Sequence, residues 1–553
     1  MKKRWIIFLG LFFYFLIPVV TAQINFSSSN LPIVVINTNG LSIRDEPKIP
    51  AFMGIIDNGP GQVNSIQDSF NDYNGNIGIE LRGSSSQFIF DKKNFGIETW
   101  DENLQDTSVS ILGMPEEEDW VLHGPYSDKT LIRNLLAFKL GRDLGWYASR
   151  TRLCELVLND EYWGVYVFME KVKRDKNRVD ISKLNPDEIS GDDLTGGYIV
   201  KIDKFDGSNS GQGWASPYRP PNYSRSDQTI FFQFDYPKND EIVPQQKAYI
   251  QQYITDFETA LKTKPLNDLT AGYKTYIDVA SFVDYIIINE ITRNIDAYRL
   301  STFLYKDKAS LDGKLVIGPI WDYNLAFGNA DYCEGWKKEG WALDFNKFCN
   351  EDYWLIPFWW ERFMMDPEFT SLLKNRWFEL RNDQFSTDHI RFYIDSVAAV
   401  LFEPQHRNFQ RWPVLGTYVW PNYYIGSTFQ DEINYLKTWI EHRLIWLDGN
   451  MDNIVTSLED ESKKITGIMM YPNPFDNDLV VEIKNPDIES IDFEVYNLYG
   501  QKIYEKRINR ENGNPGLIWD GRDSFGQLIP AGIYLSVMKT NDKVFHKSKL
   551  IRN

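Results

Sequence analysis

Arg293-Asn294-Ile295-Asp296-Ala297-Tyr298, Ser301-Thr302-Phe303-Leu304-Tyr305-Lys306, the turn Asp312-Gly313, Lys314-Leu315-Val316-Ile317 and Gly318-Pro319-Ile320-Trp321-Asp322-Tyr323-Asn324 follow one another in this 553-residue chain. The β-rich run before Asp312-Gly313 and the apolar run after it predict strand, turn and strand. A hairpin brings its two flanks back to one end. Asp296 and Asp322 are therefore expected near each other, although a whole hairpin separates them in sequence.

Two carboxylates placed this way suit phosphoryl transfer. One orients the attacking hydroxyl, and the second holds the magnesium that neutralises the nucleotide phosphates. Base first and metal ligand second is the order found in kinases. Asp and Asn beside aromatic residues also serve at turns and caps, where they satisfy local backbone donors, so the pair has to be weighed against the rest of the chain.

Upstream, Leu31 to Asn37 is an apolar run bounded by turn formers, hence a strand. Ile77-Gly78-Ile79-Glu80-Leu81-Arg82 alternates, with Ile77, Ile79 and Leu81 on one face. It stops at Gly83-Ser84-Ser85-Ser86 and resumes extended through Lys92-Lys93-Asn94-Phe95-Gly96-Ile97-Glu98-Thr99. A small-residue turn leaves backbone N–H groups free for phosphate oxygens, and a lysine on the return strand adds a point charge; such turns are ordinary connectors too.

A helix is predicted from Ser127 to Leu144 with Ser127 or Asp128 as cap. Strands are predicted over 152–158, 162–169 and 197–203. Helical spacing then dominates at 245–261, 279–291, 366–380, 387–402 and 428–453. Residues 455–467 are polar and charged, a linker. Beyond them short alternating bursts at 479–483, 491–496 and 532–538 predict a small all-β sandwich.

Composition bounds the partners. The net charge is −18, so the surface repels phosphate backbones and nucleic acid is not an expected partner. The basic run 170–178 is read as a solvated face, with contact to nucleotide phosphates as the sharper alternative. With 18 Trp and 30 Tyr the chain is suited to a folded, ligand-lined structure. Trp-rich loops such as Trp354 to Trp360 permit saccharide binding, although buried core is the commoner fate of such runs.

Met1-Lys2-Lys3-Arg4, the apolar stretch Trp5 to Val20 and Thr21-Ala22-Gln23 have the form of a secretory signal cleaved after Ala22. No transmembrane helix is expected after its removal. The chain has 3 Cys and 5 His. Cys333 and Cys349 bracket an aromatic loop that an oxidising compartment would let them close, and Cys154 reads as a buried strand thiol. Zinc motifs such as CxxC and HExxH are absent.

Several separated stretches resemble the spore-coat protein H (CotH) kinase family: Glu80-Leu81-Arg82-Gly83-Ser84-Ser85-Ser86, Asp128 to Asn134, Leu158 to Tyr166, Gly197 to Asp203, and Trp321-Asp322-Tyr323-Asn324. The last segment resembles the C-terminal sorting domain of type IX secretion through Tyr471-Pro472-Asn473-Pro474-Phe475, Tyr496 to Gln501, Trp519 to Asp523 and Ala531-Gly532-Ile533-Tyr534.

The resemblances imply an α+β chain: signal peptide 1–22, a divergent (atypical) protein-kinase-like two-lobed domain over 23–453, a linker at 454–467, and an Ig-like sorting sandwich over 468–553. They imply transfer of the ATP γ-phosphate, with Mg²⁺ or Mn²⁺, to Ser or Thr of secreted or surface proteins, and export by the type IX machinery through the periplasm. Asp296 matches the catalytic aspartate, Asp322 the metal-binding one, and Asn324 is a further metal ligand. Lys93, or the adjacent Lys92, is expected on the phosphates with Arg82 and Ser84, and Glu170 as the carboxylate paired with that lysine.

One departure stands out. A typical kinase loop has an Asn about five positions after its base, which helps bind a second metal; this chain has Ser301-Thr302.

Overall fold

A computed structural model describes residues 24–204, 212–453, 468–483, 490–497, 501–509, 516–540 and 543–553. The signal segment and the linker expected from the sequence lie outside these residues.

Seven strands, β1 (Ile33–Asn37), β2 (Ile49–Ile56), β3 (Tyr73–Arg82), β4 (Asn94–Trp100), β5 (Asp119–His123), β6 (Thr151–Leu158) and β7 (Glu161–Glu170), close into a barrel. Their order is β6-β7-β5-β4-β3-β2-β1, and β1 closes it by running parallel to β6. Side-chain alternation decides what fills it. Ile77, Ile79, Phe95, Ile97, Trp120, Leu122, Cys154 and Phe168 are in one apolar core, while Glu80 and Arg82 fall on the opposite face of β3. Strand β2 begins Ile49-Pro50, and proline at a strand's start does not break the ladder.

Helix α1 (Arg133–Asp143) starts later than the sequence predicts. Asp128 ties down the turn in front of it: Oδ2 accepts the Arg133 N–H at 2.8 Å, and Oδ1 pairs with the buried Arg133 guanidinium at 2.6 Å. An antiparallel sheet follows, of β8 (Tyr198–Ile202), β9 (Gly213–Ala215), β10 (Phe231–Tyr236), β11 (Thr302–Lys306) and β12 (Leu315–Ile317), ordered β9-β10-β8-β11-β12. The β11–β12 hairpin pairs Leu304 with Ile317 and Lys306 with Leu315. Five helices follow the predicted spacing: α2 (Pro244–Thr263), α3 (Val279–Thr292), α4 (Pro367–Arg381), α5 (Thr387–Val400) and α6 (Phe429–Asn450).

The chain forms two compact units. One comprises the residues up to Thr259 with Tyr273–Pro357 and Phe378–Trp446; the other gathers Ala260–Gly272, Phe358–Trp377 and Leu447–Asn553. Barrel, five-stranded sheet and both aspartates belong to the first. In the second, three strands (Ile468–Tyr471, Leu479–Ile483, Gly516–Trp519) and four (Ser490–Tyr496, Lys502–Asn509, Gly532–Thr540, Lys543–Arg552) form two antiparallel sheets. They share a core containing Phe475, Val481, Phe493, Trp519 and Met538.

Cys333 and Cys349 form a disulfide, and Cys154 is a free buried thiol. Trp359 and Trp360 are fully buried, so that part of the Trp-rich run is core. Among the described residues no helix is long and apolar enough to cross a membrane.

Candidate functional site

Helix α3 delivers the first aspartate. Its N-terminus is capped by Asp278, which accepts the Ser281 N–H at 2.7 Å, and its C-terminus ends at Arg293 in the left-handed region. Asp296 follows in the loop to β11, and Asp322 follows β12. Asp322 itself has φ +64°, a conformation that costs free energy for a residue with a Cβ and that Asp tolerates better than most. Two anchors hold it there. The Tyr323 N–H donates to Asn134 Oδ1 of α1 at 2.7 Å, and the buried Tyr323 hydroxyl donates to Asn289 Oδ1 of α3 at 2.7 Å.

Asn294 joins the two loops. Its Nδ2 donates to the Asp322 carbonyl at 3.3 Å and its Oδ1 accepts the Asp296 N–H at 3.3 Å. This amide is a brace between the loops and not a spare metal ligand.

The electrostatics bring a third carboxylate into the group. Burial first, then the charges of Asp296 and Asp203, push the Asp322 carboxyl up to about 6, against the opposite pull of Lys204 and Arg82. Asp203 is raised as well, chiefly by burial and further by Asp296, while Lys201 and the backbone N–H groups of Lys204 and Ser301 oppose the rise. Asp322 is nevertheless exposed to water.

Strand register explains Asp203. Ile202, the last residue of β8, lies opposite Thr302, so Asp203 just after it meets Ser301. No motif in the sequence assigns Asp203 a role. Its position at the end of an alternating strand, beside the Ser-Thr where kinases carry Asn, was the signal that was available.

Among the described residues, two groups have three ligand atoms within 4.8 Å of one another: Cys333-Cys349-Asp352 and Glu117-Glu118-Asp119. The first has its sulfurs in a disulfide, and the second already holds Lys173, whose Nζ is 3.0 Å from Glu117 and 2.9 Å from Asp119. The oxygens of Asp203, Asp296 and Asp322 stand farther apart than that. Such spacing does not make an all-protein cage. A hard cation such as Mg²⁺ or Mn²⁺, were one held here, would bind through one or two of these carboxylates while substrate phosphates and water filled its remaining positions.

The expected phosphate-binding groups divide. Arg82 is at the site, its guanidinium 5.4 Å above the Trp321 ring and close enough to Asp322 to lower it. Ser84 is exposed in the turn after β3. The structure corrects the expectation for both lysines. Lys92 is buried, with Nζ donating to the Val165 carbonyl at 2.6 Å and Asn408 Oδ1 at 2.8 Å. Lys93 Nζ donates to the carbonyls of Gln87 at 2.7 Å and Phe90 at 2.6 Å, closing the helical turn Ser86–Ile89.

Glu170 is corrected too: it pairs with Arg150, Nη1 to Oε1 at 2.7 Å, and not with either lysine. Strand positions name which residues are near one another but not where a long side chain ends, and buried carbonyls claimed these ammoniums first. The basic run 170–178 is also occupied. Lys171 and Lys173 pair with Asp119, and Arg178 donates to the carbonyls of Asp119 and Lys171. Asn324 is half-buried, its carbonyl accepting Asn329 Nδ2 at 2.8 Å.

Arg299 was not foreseen. It is fully buried, and its Nη2 meets Asp296 Oδ1 at 3.0 Å while Nη1 meets Asp352 Oδ1 at 3.0 Å. Behind the loop a small cavity is lined by Asn294, Ile295 and Ala297 on one side and Cys333, Phe345 and Phe348 on the other.

Comparison with known proteins bears on this geometry. The profile of the family described as CotH kinase protein matches residues 79–447, and that of the secretion system C-terminal sorting domain matches 469–553. The latter marks the chain for export, to the medium or the cell surface. A curated relative, the ulvan lyase NLR42 of Nonlabens ulvanivorans, is 28% identical over 98 residues, which are 18% of this chain and 16% of that protein's length.

Among solved structures, dimeric latent PorU from Porphyromonas gingivalis aligns with 15% of this chain and 9% of its own, at 21% identity and a TM-score of 0.14. The alkylpurine DNA glycosylase AlkC of Pseudomonas fluorescens aligns with 35% and 54%, at 10% identity and a TM-score of 0.11. With its profile match running from β3 to α6 and taking in Arg82, Asp203, Asp296 and Asp322, this chain belongs to the CotH kinase protein family.

Proposed function

We propose that the protein is an exported, atypical protein kinase that transfers the γ-phosphate of ATP to Ser or Thr hydroxyls of secreted or surface proteins. The observation that carries this reading is that Asn294 braces the Asp296 and Asp322 loops against each other, where burial together with the charges of Asp296 and Asp203 raises the Asp322 carboxyl to about 6. Converging acids that lift one another in this way are relieved when a divalent cation arrives.

Asp322 is the metal ligand in this reading, with Asn324 as an added oxygen. A bound Mg²⁺ or Mn²⁺ would supply charge neutralisation at the β- and γ-phosphates. Asp296 accepts the acceptor hydroxyl's proton and aims its oxygen at phosphorus. Arg82 and Lys204, the cations that already pull on Asp322, take over the phosphate-binding role expected of Lys92 and Lys93. The barrel and the five-stranded sheet with its helices correspond to the two lobes.

The test is Mn²⁺-dependent ATP consumption by the purified chain. Asp322→Ala is expected to reduce it at least about 10³-fold, in line with the loss of a principal charge-stabilising group. Undiminished turnover in that variant would remove the reading.

A second reading is favoured by one observation. Trp420 stacks on Tyr332 with centroids 5.8 Å apart, Tyr423 stacks on Trp336 at 5.1 Å, and the outer ring of each pair is exposed. Such faces suit sugar rings, as on a non-catalytic adhesive protein. Thermal stabilisation by ATP with metal supports the kinase; stabilisation by saccharides alone supports the adhesin.

A further inference from the structure

Arg299 occupies a position that neither the family resemblance nor the carboxylate geometry assigns. It is 2% exposed, and each of its nitrogens has a partner. Nε donates to the Ile295 carbonyl at 2.9 Å, Nη1 to Asp352 Oδ1 at 3.0 Å and the Trp354 carbonyl at 3.1 Å, and Nη2 to Asp296 Oδ1 at 3.0 Å. The guanidinium lies 4.3 Å from the centre of the Phe345 ring.

The far side of this clamp is tied down independently. The Asp352 N–H donates to the Cys349 carbonyl at 3.2 Å, and its carboxylate lies within 4.8 Å of both disulfide sulfurs. Gln228 Nε2 donates to the carbonyls of Asn350 at 2.8 Å and Asp352 at 2.6 Å. The clamp therefore runs from Asp296 through a planar, fully engaged guanidinium to a loop stapled by Cys333–Cys349.

Resting on the kinase reading, we infer that Arg299 is the positioning residue of the reaction, fixing the Asp296 carboxylate through Asp352 and the disulfide-closed loop. Arg299 takes Oδ1 of Asp296, so Oδ2 is the oxygen presented to the acceptor hydroxyl. Held at all three nitrogens, the guanidinium presents Nη2 to Asp296 Oδ1 from one fixed direction, and a displacement of about 1 Å at such a group costs roughly 10²-fold in rate. A lysine cannot reproduce that arrangement.

The experiment compares the full-length protein with Arg299→Ala, Arg299→Lys and the half-exposed Asp352→Asn, which spares the buried guanidinium if Arg299 variants fail to fold. Initial rates are read with Mn²⁺ and ATP against a model Ser/Thr acceptor. Expected are a fall in kcat of about 10²-fold for Arg299→Ala and about 10-fold for Asp352→Asn, KM for ATP within about 2-fold of wild type, and partial recovery of Arg299→Ala by added guanidinium ion but not by Arg299→Lys. Wild-type turnover with kcat unchanged in Asp352→Asn and in whichever Arg299 variants fold overturns the inference and leaves the kinase reading standing. A losing variant whose KM for ATP rises while kcat holds also overturns it. A wild type that transfers no phosphate overturns both.

Discussion

At the scale of single residues, Asp322 decides the pH behaviour. Its carboxyl is raised above the unfolded value, so between about 4 and 6 the folded chain holds a proton that the unfolded chain has released. Stability contributed by this residue is thus present at low pH and lost as pH rises through about 6. Asp322→Asn is expected to stabilise the metal-free protein at pH 7 by about 1 kcal/mol, with no gain below about pH 4. The full shift would correspond to more, but the side chain is open to water and its interactions are screened. Paired denaturant titrations at the two pH values check this.

Under the proposed function the same linkage would govern metal affinity. Mn²⁺ would compete with the proton at Asp322, so binding should weaken progressively below about pH 6 and hold steady above it, as calorimetric titration across that range would show. That Asp296 and Asp322 fall on neighbouring loops was legible from residue type and the hairpin between them. Asp203 was signalled only by its place at a strand end and Arg299 not at all, because register across β8 and β11 and the reach of a long side chain are tertiary facts.

At the scale of elements, helix α3 organises the site. Glu290, near its C-terminus, is buried and accepts from the Ala342 N–H at 2.8 Å, the Leu343 N–H at 2.9 Å and Arg443 Nη2 at 2.9 Å. Tyr298, just past Asp296, donates to Glu290 Oε1 at 3.1 Å. Glu290→Ala strands the fully buried Arg443 charge and should cost about 3 kcal/mol, measurable by urea unfolding, while the conservative loss of an exposed pair such as Arg225–Asp227 should cost almost nothing. A Glu290→Ala protein of wild-type stability would contradict this account of how the loop is held.

Elements were the most readable level. The helices from 244 to 450 and the β11–β12 hairpin follow the periodicity, since long amphipathic runs and an Asp-Gly turn are strong local signals. The N-terminal strands were found only in part. β2 carries a proline at its second position, and β5 reads Asp-Trp-Val-Leu-His without alternation. Closure into a barrel depends on a parallel contact between β1 and β6 that no local pattern announces.

At the scale of the whole molecule, the proposed site and the export signal are separated along the chain. Arg82, Asp203, Asp296, Arg299 and Asp322 all belong to the first compact unit, while the sorting region 469–553 belongs to the second. A chain ending at Asn453 is therefore expected to keep Mn²⁺-dependent turnover within about 3-fold of the full chain, because no residue that touches substrate is removed. In a host with the cognate secretion machinery the same chain should remain inside the outer membrane. Fractionation and activity of the truncated protein test both halves.

The central claim is that Asp296 and Asp322 flank one metal–nucleotide site. A crystal of residues 23–453 grown with Mn²⁺ and a non-hydrolysable ATP analogue, with manganese located by its anomalous scattering, tests it most directly. The account predicts manganese on Asp322 and the terminal phosphate, the phosphates within reach of Arg82 and Lys204, and Asp296 Oδ2 facing the γ-phosphorus. Nucleotide bound elsewhere, or manganese on other ligands with Asp322 untouched, would contradict it.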